Sequence, residues 1–120
     1  MVFYKKKKKL IMQKKLLFNL TEDWFFCSHF LDRALAAKKN GYSVYVCCKN
    51  NNRKSDIEKY GFKFISLKYK RSGINPIYEL YILINNVLIY NSIKPDIVHH
   101  ISAKPIIYGS IAARICNIKS

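Results

Sequence analysis

Side chains able to do acid–base chemistry concentrate in two short segments of the 120-residue chain. All three histidines lie there, with His29 in segment 21–29 and both His99 and His100 in segment 99–104. Carboxylates, an indole, hydroxyls and an ammonium group accompany them: Thr21, Glu22, Asp23, Trp24, Ser28, Ser102 and Lys104. Imidazoles and carboxylates can move protons near neutral pH. The combination suits a site that holds a hydroxylated substrate and a phosphate group.

Both segments follow apolar stretches in a chain that alternates between strand and helix patterns. The predicted strands are Leu16–Thr21, Ser43–Lys49, Lys63–Tyr69 and Asp96–Ser102. The predicted helices are Cys27–Lys39, a short helix that Ser55 opens and Gly61 ends, Ile77–Ser92 and Ile106–Asn117. Asn40-Gly41 is typical of a helix end, and Pro76 of a helix start.

This alternation predicts an α/β fold with a Rossmann-like, three-layer α/β/α architecture and a parallel sheet in the strand order 3-2-1-4. Ligands of such sheets bind at the carboxyl ends of the neighbouring first and fourth strands. Segments 21–29 and 99–104 follow those two strands and are therefore expected to meet. We expect one domain over residues 15–120, preceded by a flexible basic leader over residues 1–14.

Missing motifs exclude several common sites. The chain has no Gly-x-Gly-x-x-Gly turn, no phosphate-binding P-loop and no Gly-x-Ser-x-Gly nucleophile elbow. Its four cysteines, Cys27, Cys47, Cys48 and Cys116, form no Cys-x-x-Cys pair and no cluster at zinc-site spacing. We expect no metal site, and buried, reduced thiols as in a cytoplasmic protein.

The charge balance points to anionic partners. Lys and Arg number 22 against 7 Asp and Glu, a net charge of +15. Acidic lipid headgroups, phosphorylated molecules and nucleic acid all fit that excess. The lysines do not combine with aromatics in a known nucleic-acid-binding pattern, so a small basic nucleic-acid-binding domain is kept only as an alternative. No signal-peptide pattern and no run of about 20 clean apolar residues is present.

A helix formed by residues Ile77–Ile93 would present apolar side chains on nearly all of its sides. Helical spacing predicts that one face packs on the sheet through Ile77, Leu80, Tyr81, Ile84, Val87 and Leu88. The remaining apolar residues, such as Ile82 and Ile89, would then meet a partner or a membrane. With the lysines at 5–9, this motivates the hypothesis that a cytoplasmic protein attaches peripherally to the anionic inner face of the cell membrane.

Two separated motifs resemble family 4 glycosyltransferases. The stretch Asn19–Gly41 contains the family's Glu-Asp-Trp-Phe-Phe-x-Ser-His segment, followed by Gly-Tyr-x-Val at residues 41–44. The stretch Pro95–Arg114 is similar to its Pro-Asp-Ile-Val-His-His…Lys-Pro…Tyr-Gly-Ser-x-Ala-Ala-Arg block. Gly61-Phe62 and the loop Arg71–Pro76 match in order and position. The likeness runs from about Lys15 to the last residue.

The resemblance implies the N-terminal, acceptor-side half of a retaining GT-B enzyme that needs no metal or cofactor for transfer. Its donor would be a UDP-sugar or similar nucleotide-sugar, bound mainly by a C-terminal domain that this chain lacks. Its acceptor would be a sugar or lipid-linked saccharide in cell-envelope synthesis. The resemblance gives the role at the reacting centre to His100 or His99, since neighbouring strand residues face opposite sides.

The other candidate site residues complete this prediction. Asp23 is a candidate acceptor-activating base. The candidate substrate-binding residues are Glu22, Trp24, Ser28, His29, Arg71 and Lys104. The chain departs from the family by lacking glycines after the first strand, and by its length. Alone we expect it to be inactive, and a non-catalytic subunit with a separate donor-binding partner is a further alternative.

Overall fold

A computed structural model describes residues 14–68, 75–102 and 104–120. The predicted leader, apart from Lys14, and the candidate Arg71 lie outside these ranges. The described residues form strands β1 (Lys15–Glu22), β2 (Ser43–Lys49), β3 (Lys63–Ser66) and β4 (Ile97–His100). They also form helices α1 (Asp23–His29), α2 (Leu31–Lys39), α3 (Lys54–Glu58), α4 (Pro76–Ile93) and α5 (Ser110–Ile115), with a π-helix at Pro105–Gly109 before α5.

The four described strands form one parallel sheet in the order β3-β2-β1-β4, which confirms the predicted topology. Strand β1 lies between β2 and β4, and its residues 17–20 are fully buried or nearly so. A central strand flanked by neighbours and covered on both faces has to be apolar along its length. The exception is Asn19, a buried amide in the middle of this strand.

Helices cover both faces of the sheet, as the three-layer prediction requires. Phe18, Leu20, Val44 and Val46 face one core, which also contains Phe26 of α1 and other residues of helices α1–α3. Leu17, Cys47 and Val98 face the other, beneath α4 and α5. Alternate residues of each strand therefore enter opposite cores, following the two-residue period of a strand.

Helix α4 packs through the face opposite to the one predicted. Ile82, Asn86 and Tyr90 are its buried residues. Of the six side chains expected to pack on the sheet, Val87 is partly buried against the core. The other five are largely exposed: Ile77, Leu80, Tyr81, Ile84 and Leu88. A helix that is apolar all round gives no amphipathic signal. Asn86 and Tyr90 decide the orientation, because their polar atoms find hydrogen-bond partners inside the core.

Two predicted helices are divided. The first begins at Asp23, earlier than predicted, and is interrupted at Phe30 before continuing as α2. The last opens as a π-helix at Pro105 and becomes α-helical at Ser110. The stop signal predicted at the end of α2 and the start signal predicted for α4 are both confirmed. Gly41 has a left-handed backbone (φ 95°) after α2, and Asn75 caps α4 by accepting from the amide of Ile77 at 3.0 Å beside Pro76.

Candidate active site

The two chemistry-bearing segments meet at the carboxyl edge of the sheet, as predicted. Asn19 pairs with His100 in the parallel register, and the amide of Ile101 donates to the carbonyl of Asn19 at 2.9 Å. Just beyond the strands, the hydroxyl of Thr21 donates to the hydroxyl of Ser102 at 3.4 Å. These contacts fix the connections after β1 and β4 side by side, in the position where sheets of this type bind ligands.

The two neighbouring histidines face opposite cores. The imidazole of His99 stacks on Phe18, with ring centroids 5.6 Å apart, and lies edge-on to Phe30. The imidazole of His100 points towards α4 and approaches the hydroxyl of Tyr90 at 2.8 Å. The two residues, with Ile106 and Ser110, line an open pocket of about 490 Å³ beside β4. Their predicted roles at the reacting centre stay predictions.

His100 belongs to a buried polar network that joins β1, α4 and β4. The side-chain amide of Asn19 donates to Asn86 Oδ1 and to the hydroxyl of Tyr90, each at 2.7 Å. Asn86 in turn donates to the carbonyl of Ile82 at 2.9 Å. The hydroxyl of Tyr90, which accepts from Asn19, lies 2.8 Å from His100 Nε2. A neutral imidazole can donate to or accept from this hydroxyl according to its tautomer, whereas a charged imidazole can only donate.

Burial acts on both imidazoles in the same direction. Desolvation, with a smaller effect from the neighbouring His99, lowers the pKa of His100 to about 4, while a backbone hydrogen bond at Gly109 acts in the opposite sense. Burial and then the charge of Arg33 lower the pKa of His99 below its usual range. Both rings are thus neutral at pH 7, which is the state in which an imidazole can accept a proton.

Asp23 is fully buried and ties two loops together. Its Oδ2 accepts hydrogen bonds from the amides of Asn51 at 2.7 Å and Arg53 at 3.0 Å. Its Oδ1 accepts from the amide of Trp24 at 2.8 Å. The predicted role as a base stays a prediction, and these contacts favour a structural role, because both carboxylate oxygens are already engaged by backbone donors.

The other predicted site residues are distributed around this edge. Trp24 is 44% exposed at the start of α1, and Ser28 and His29 are exposed at its end, where His29 stacks on Phe25. Glu22 is partly buried and pairs in register with Lys49. Lys104 forms an ion pair with Glu79 at 3.3 Å. The charge of Lys104 is therefore already balanced by α4.

Hydrogen bonding with Tyr108 and contact with Lys104 lower the pKa of Glu79, while burial opposes them. Glu79 is a partner that the sequence did not reveal, because 25 residues separate it from Lys104.

Sequence reasoning also missed the loop 50–53. The sequence indicated no role for this loop, yet its backbone binds Asp23. Three consecutive asparagines directly after β2 were the signal available, since asparagine tolerates the left-handed conformation that Asn52 adopts at φ 70°. The network partners Asn86 and Tyr90 were missed for a different reason, because no spacing rule links α4 to β1.

The burial expected of all four cysteines is found only at two, because Cys27 and Cys116 are partly buried. Cys47 and Cys48 are buried, and desolvation raises the pKa of Cys47 to about 12, so it is unreactive as a nucleophile at neutral pH. Among the described residues, no group of three or more His, Cys, Asp or Glu side chains is placed to hold a metal ion.

The sheet order and the two covering layers define a Rossmann-like α/β domain of the kind found in GT-B glycosyltransferases. The sequence model of the family described as glycosyl transferase 4-like matches residues 15–119. The chain belongs to this glycosyl transferase 4-like family. Membership disfavours the alternative of a basic nucleic-acid-binding domain. No curated protein sequence matches the chain.

Solved structures support the same fold. A glycosyltransferase from Rickettsia africae ESF-5 superposes with a TM-score of 0.72 at 16% identity, over 90% of this chain and 28% of that one. MurG from Acinetobacter baumannii gives a TM-score of 0.66 at 14% identity, over 88% and 33% of the two chains. The glycotransferase of kitacinnamycin gives 0.61 at 10% identity, over 90% and 29%. This chain spans about a third or less of each structure's length.

Proposed function

We propose that the chain forms the acceptor-side half of a retaining glycosyltransferase that uses a nucleotide-sugar. The observation that supports this most directly is the family match over residues 15–119, together with the meeting of β1 and β4 at a polar edge. The acceptor is a hydroxyl of a sugar or lipid-linked saccharide in cell-envelope synthesis. A second, donor-binding domain holds the nucleotide-sugar.

In this proposal the described residues hold and orient the acceptor. The exposed indole of Trp24 offers an apolar face to a sugar ring. The hydroxyls of Thr21 and Ser102 lie next to each other just after the ends of β1 and β4. His99 and His100 stand at the end of β4 as neutral imidazoles. Because the two rings face opposite cores, only one of them can accept a hydrogen bond from the attacking hydroxyl.

The experiment for the activity supplies the chain with a donor-binding domain, either fused after Ser120 or as a separate polypeptide. Sugar transfer from a panel of radiolabelled nucleotide-sugars to membrane lipid extracts is then measured. We expect transfer by the pair and none by either part alone. His99→Ala and His100→Ala are compared with Ala36→Ser, an exposed position on α2. Transfer that survives both histidine changes would remove the histidines from the proposal, and no transfer by the folded pair would remove the function.

We further propose peripheral attachment to an anionic membrane through one apolar surface. Nine large apolar side chains of α4, the π-helix and α5 are 44–81% exposed: Ile77, Leu80, Tyr81, Ile84, Leu88, Ile106, Ile107, Ile111 and Ile115. Exposed cations accompany them at Lys94, Arg114 and Lys119, while Glu79 is paired with Lys104. An apolar surface with basic neighbours suits an acidic lipid interface. No described helix combines the length and apolarity needed to cross a bilayer.

Vesicle co-sedimentation tests this attachment. We expect binding to vesicles containing phosphatidylserine, weaker binding to phosphatidylcholine alone, and loss with the double change Leu80→Ser and Ile84→Ser. Ala36→Ser on the opposite layer serves as the control. Equal sedimentation with both lipids, or with the double variant and its parent, would instead assign the surface to contacts with other protein.

A further inference from the structure

We propose that the loop 50–55, with Glu58 beside it, forms a subsite for the neutral, hydroxyl-bearing part of a saccharide, and that Asp23 is the positioning residue that sets its shape. The proposal rests on the proposed glycosyl transfer, for which it names the acceptor-binding element. It places that element at the carboxyl end of β2, next to the edge where β1 and β4 meet.

The first observation is that Asp23 fixes the loop from inside. Its carboxylate is fully buried and is bound by the amides of Asn51 and Arg53 at 2.7 and 3.0 Å. The same carboxylate accepts from Trp24 at the start of α1. One side chain therefore holds the connections after β1 and β2 at a set separation.

The second observation concerns the kind of ligand. Asn52 has φ 70°, so the amides on either side of it converge on one point. Such a concave set of N–H groups binds anions. Here the carboxylate of Asp23 already occupies it, so the loop has no backbone donors left at this point for a phosphate. The amides of Asn51 and Arg53 are therefore unavailable to a phosphate, and we assign ligand binding to the outward side chains of the loop.

The third observation is the outward surface of the loop. It forms a depression of about 320 Å³ lined by Asn50, Asn52, Lys54, Ser55 and Glu58. Two amides and a hydroxyl supply both donors and acceptors, and the charges of Lys54 and Glu58 have opposite sign. The volume is at the lower end of small-ligand sites. A neutral polyhydroxylated ring matches these groups better than an anion does.

The test is NMR titration of the full 120-residue chain with the neutral disaccharides cellobiose and chitobiose, and separately with inorganic phosphate. We expect a saturable shift of the backbone amides of residues 50–55 with at least one disaccharide, and none with phosphate. Asn52→Gly keeps the left-handed backbone but removes the amide, so it should weaken binding about 3- to 10-fold, the value of a neutral hydrogen bond. Asn51→Ala is the matched control, because its side chain does not line the depression and its backbone amide remains.

Asp23→Asn tests the positioning role separately. Hydrogen exchange at the amides of Asn51 and Arg53 should accelerate relative to the parent, with weaker disaccharide binding. The subsite would be overturned if the disaccharides shifted no backbone amides or only amides outside residues 50–55, or if phosphate gave the stronger response. Equal weakening of disaccharide binding by Asn51→Ala and Asn52→Gly would also overturn it. These results do not depend on catalysis. Transfer without shifts at residues 50–55 would reject the subsite alone, whereas shifts there without transfer would reject only the proposed function.

Discussion

At the scale of single residues, contacts decide what a reactive side chain does. Asp23 and His100 were both predicted from their types and from their place after β1 and at the end of β4. The carboxylate of Asp23 accepts from three backbone amides, and the imidazole of His100 joins a network with Tyr90 and Asn19. Residue type and position could be read from the sequence, whereas these long-range partners could not.

The buried imidazole of His100 makes stability depend on pH. In the unfolded chain this histidine has its ordinary pKa of 6.5, and in the folded chain the value is about 4. Between those values the unfolded chain binds a proton that the folded chain does not, so the free energy of unfolding falls as pH falls from 6.5 towards 4. Above pH 6.5 the group contributes no pH dependence.

We therefore expect His100→Gln to unfold with a weaker dependence on pH over this range. Allowing for the partial exposure of the ring, the free energy of unfolding of the parent should fall by about 2 kcal/mol more than that of the variant between pH 6.5 and pH 4. Urea unfolding of the two proteins at several pH values measures this difference. Subtracting one pH profile from the other cancels the contribution of the carboxylates, which both proteins share. Parallel pH profiles for variant and parent would contradict the neutral, buried state of His100.

Gly109 is required by the same network. A Cβ at this position would lie 2.5 Å from His100 Nε2 and 2.9 Å from the hydroxyl of Tyr90. Gly109→Ala should therefore lower the free energy of unfolding by about 1–3 kcal/mol, the usual cost of overpacking a core. Thermal or urea unfolding checks this, with Ser110→Ala as the neighbouring control. A variant as stable as its parent would show that His100 does not occupy this position.

At the scale of elements, the pattern predicted strands and connections better than the orientation of a helix. Strand β2 has the bounds expected of its β-branched and apolar run, and Pro76 begins α4 as predicted. The inward face predicted for α4 was wrong. Because the helix is apolar on all sides, its orientation is set by hydrogen bonds to the rest of the core. The π-helix at Pro105–Gly109, whose last residue packs against His100, was not predicted either, since the sequence pattern indicated an α-helix from Ile106.

Two isoleucines of α4 provide a matched test of its orientation. Ile82 is 2% exposed and Ile84 is 48% exposed. Ile82→Ala should cost about 2–4 kcal/mol through lost burial and a cavity, whereas Ile84→Ala should change the free energy of unfolding by less than about 1 kcal/mol. Urea unfolding of both variants measures the difference. The reverse order would restore the orientation expected from the sequence.

At the scale of the whole molecule, the strand order follows from general rules. Four alternating strand and helix patterns, right-handed crossovers and a buried central strand leave few arrangements other than 3-2-1-4. That order also placed segments 21–29 and 99–104 together before any contact was known. The position of loop 50–53 against Asp23 was beyond these rules, because it depends on one carboxylate reaching two specific amides.

The most direct measurement is the steady-state kinetics of sugar transfer by the chain supplied with a donor-binding domain, for the parent, Asn52→Gly and Asn51→Ala. If this domain handles the acceptor, Asn52→Gly should raise the KM for the acceptor about 3- to 10-fold. The KM for the nucleotide-sugar should stay unchanged, and Asn51→Ala should match the parent. A change confined to the KM for the nucleotide-sugar, or no transfer by the complete folded protein, would contradict the account.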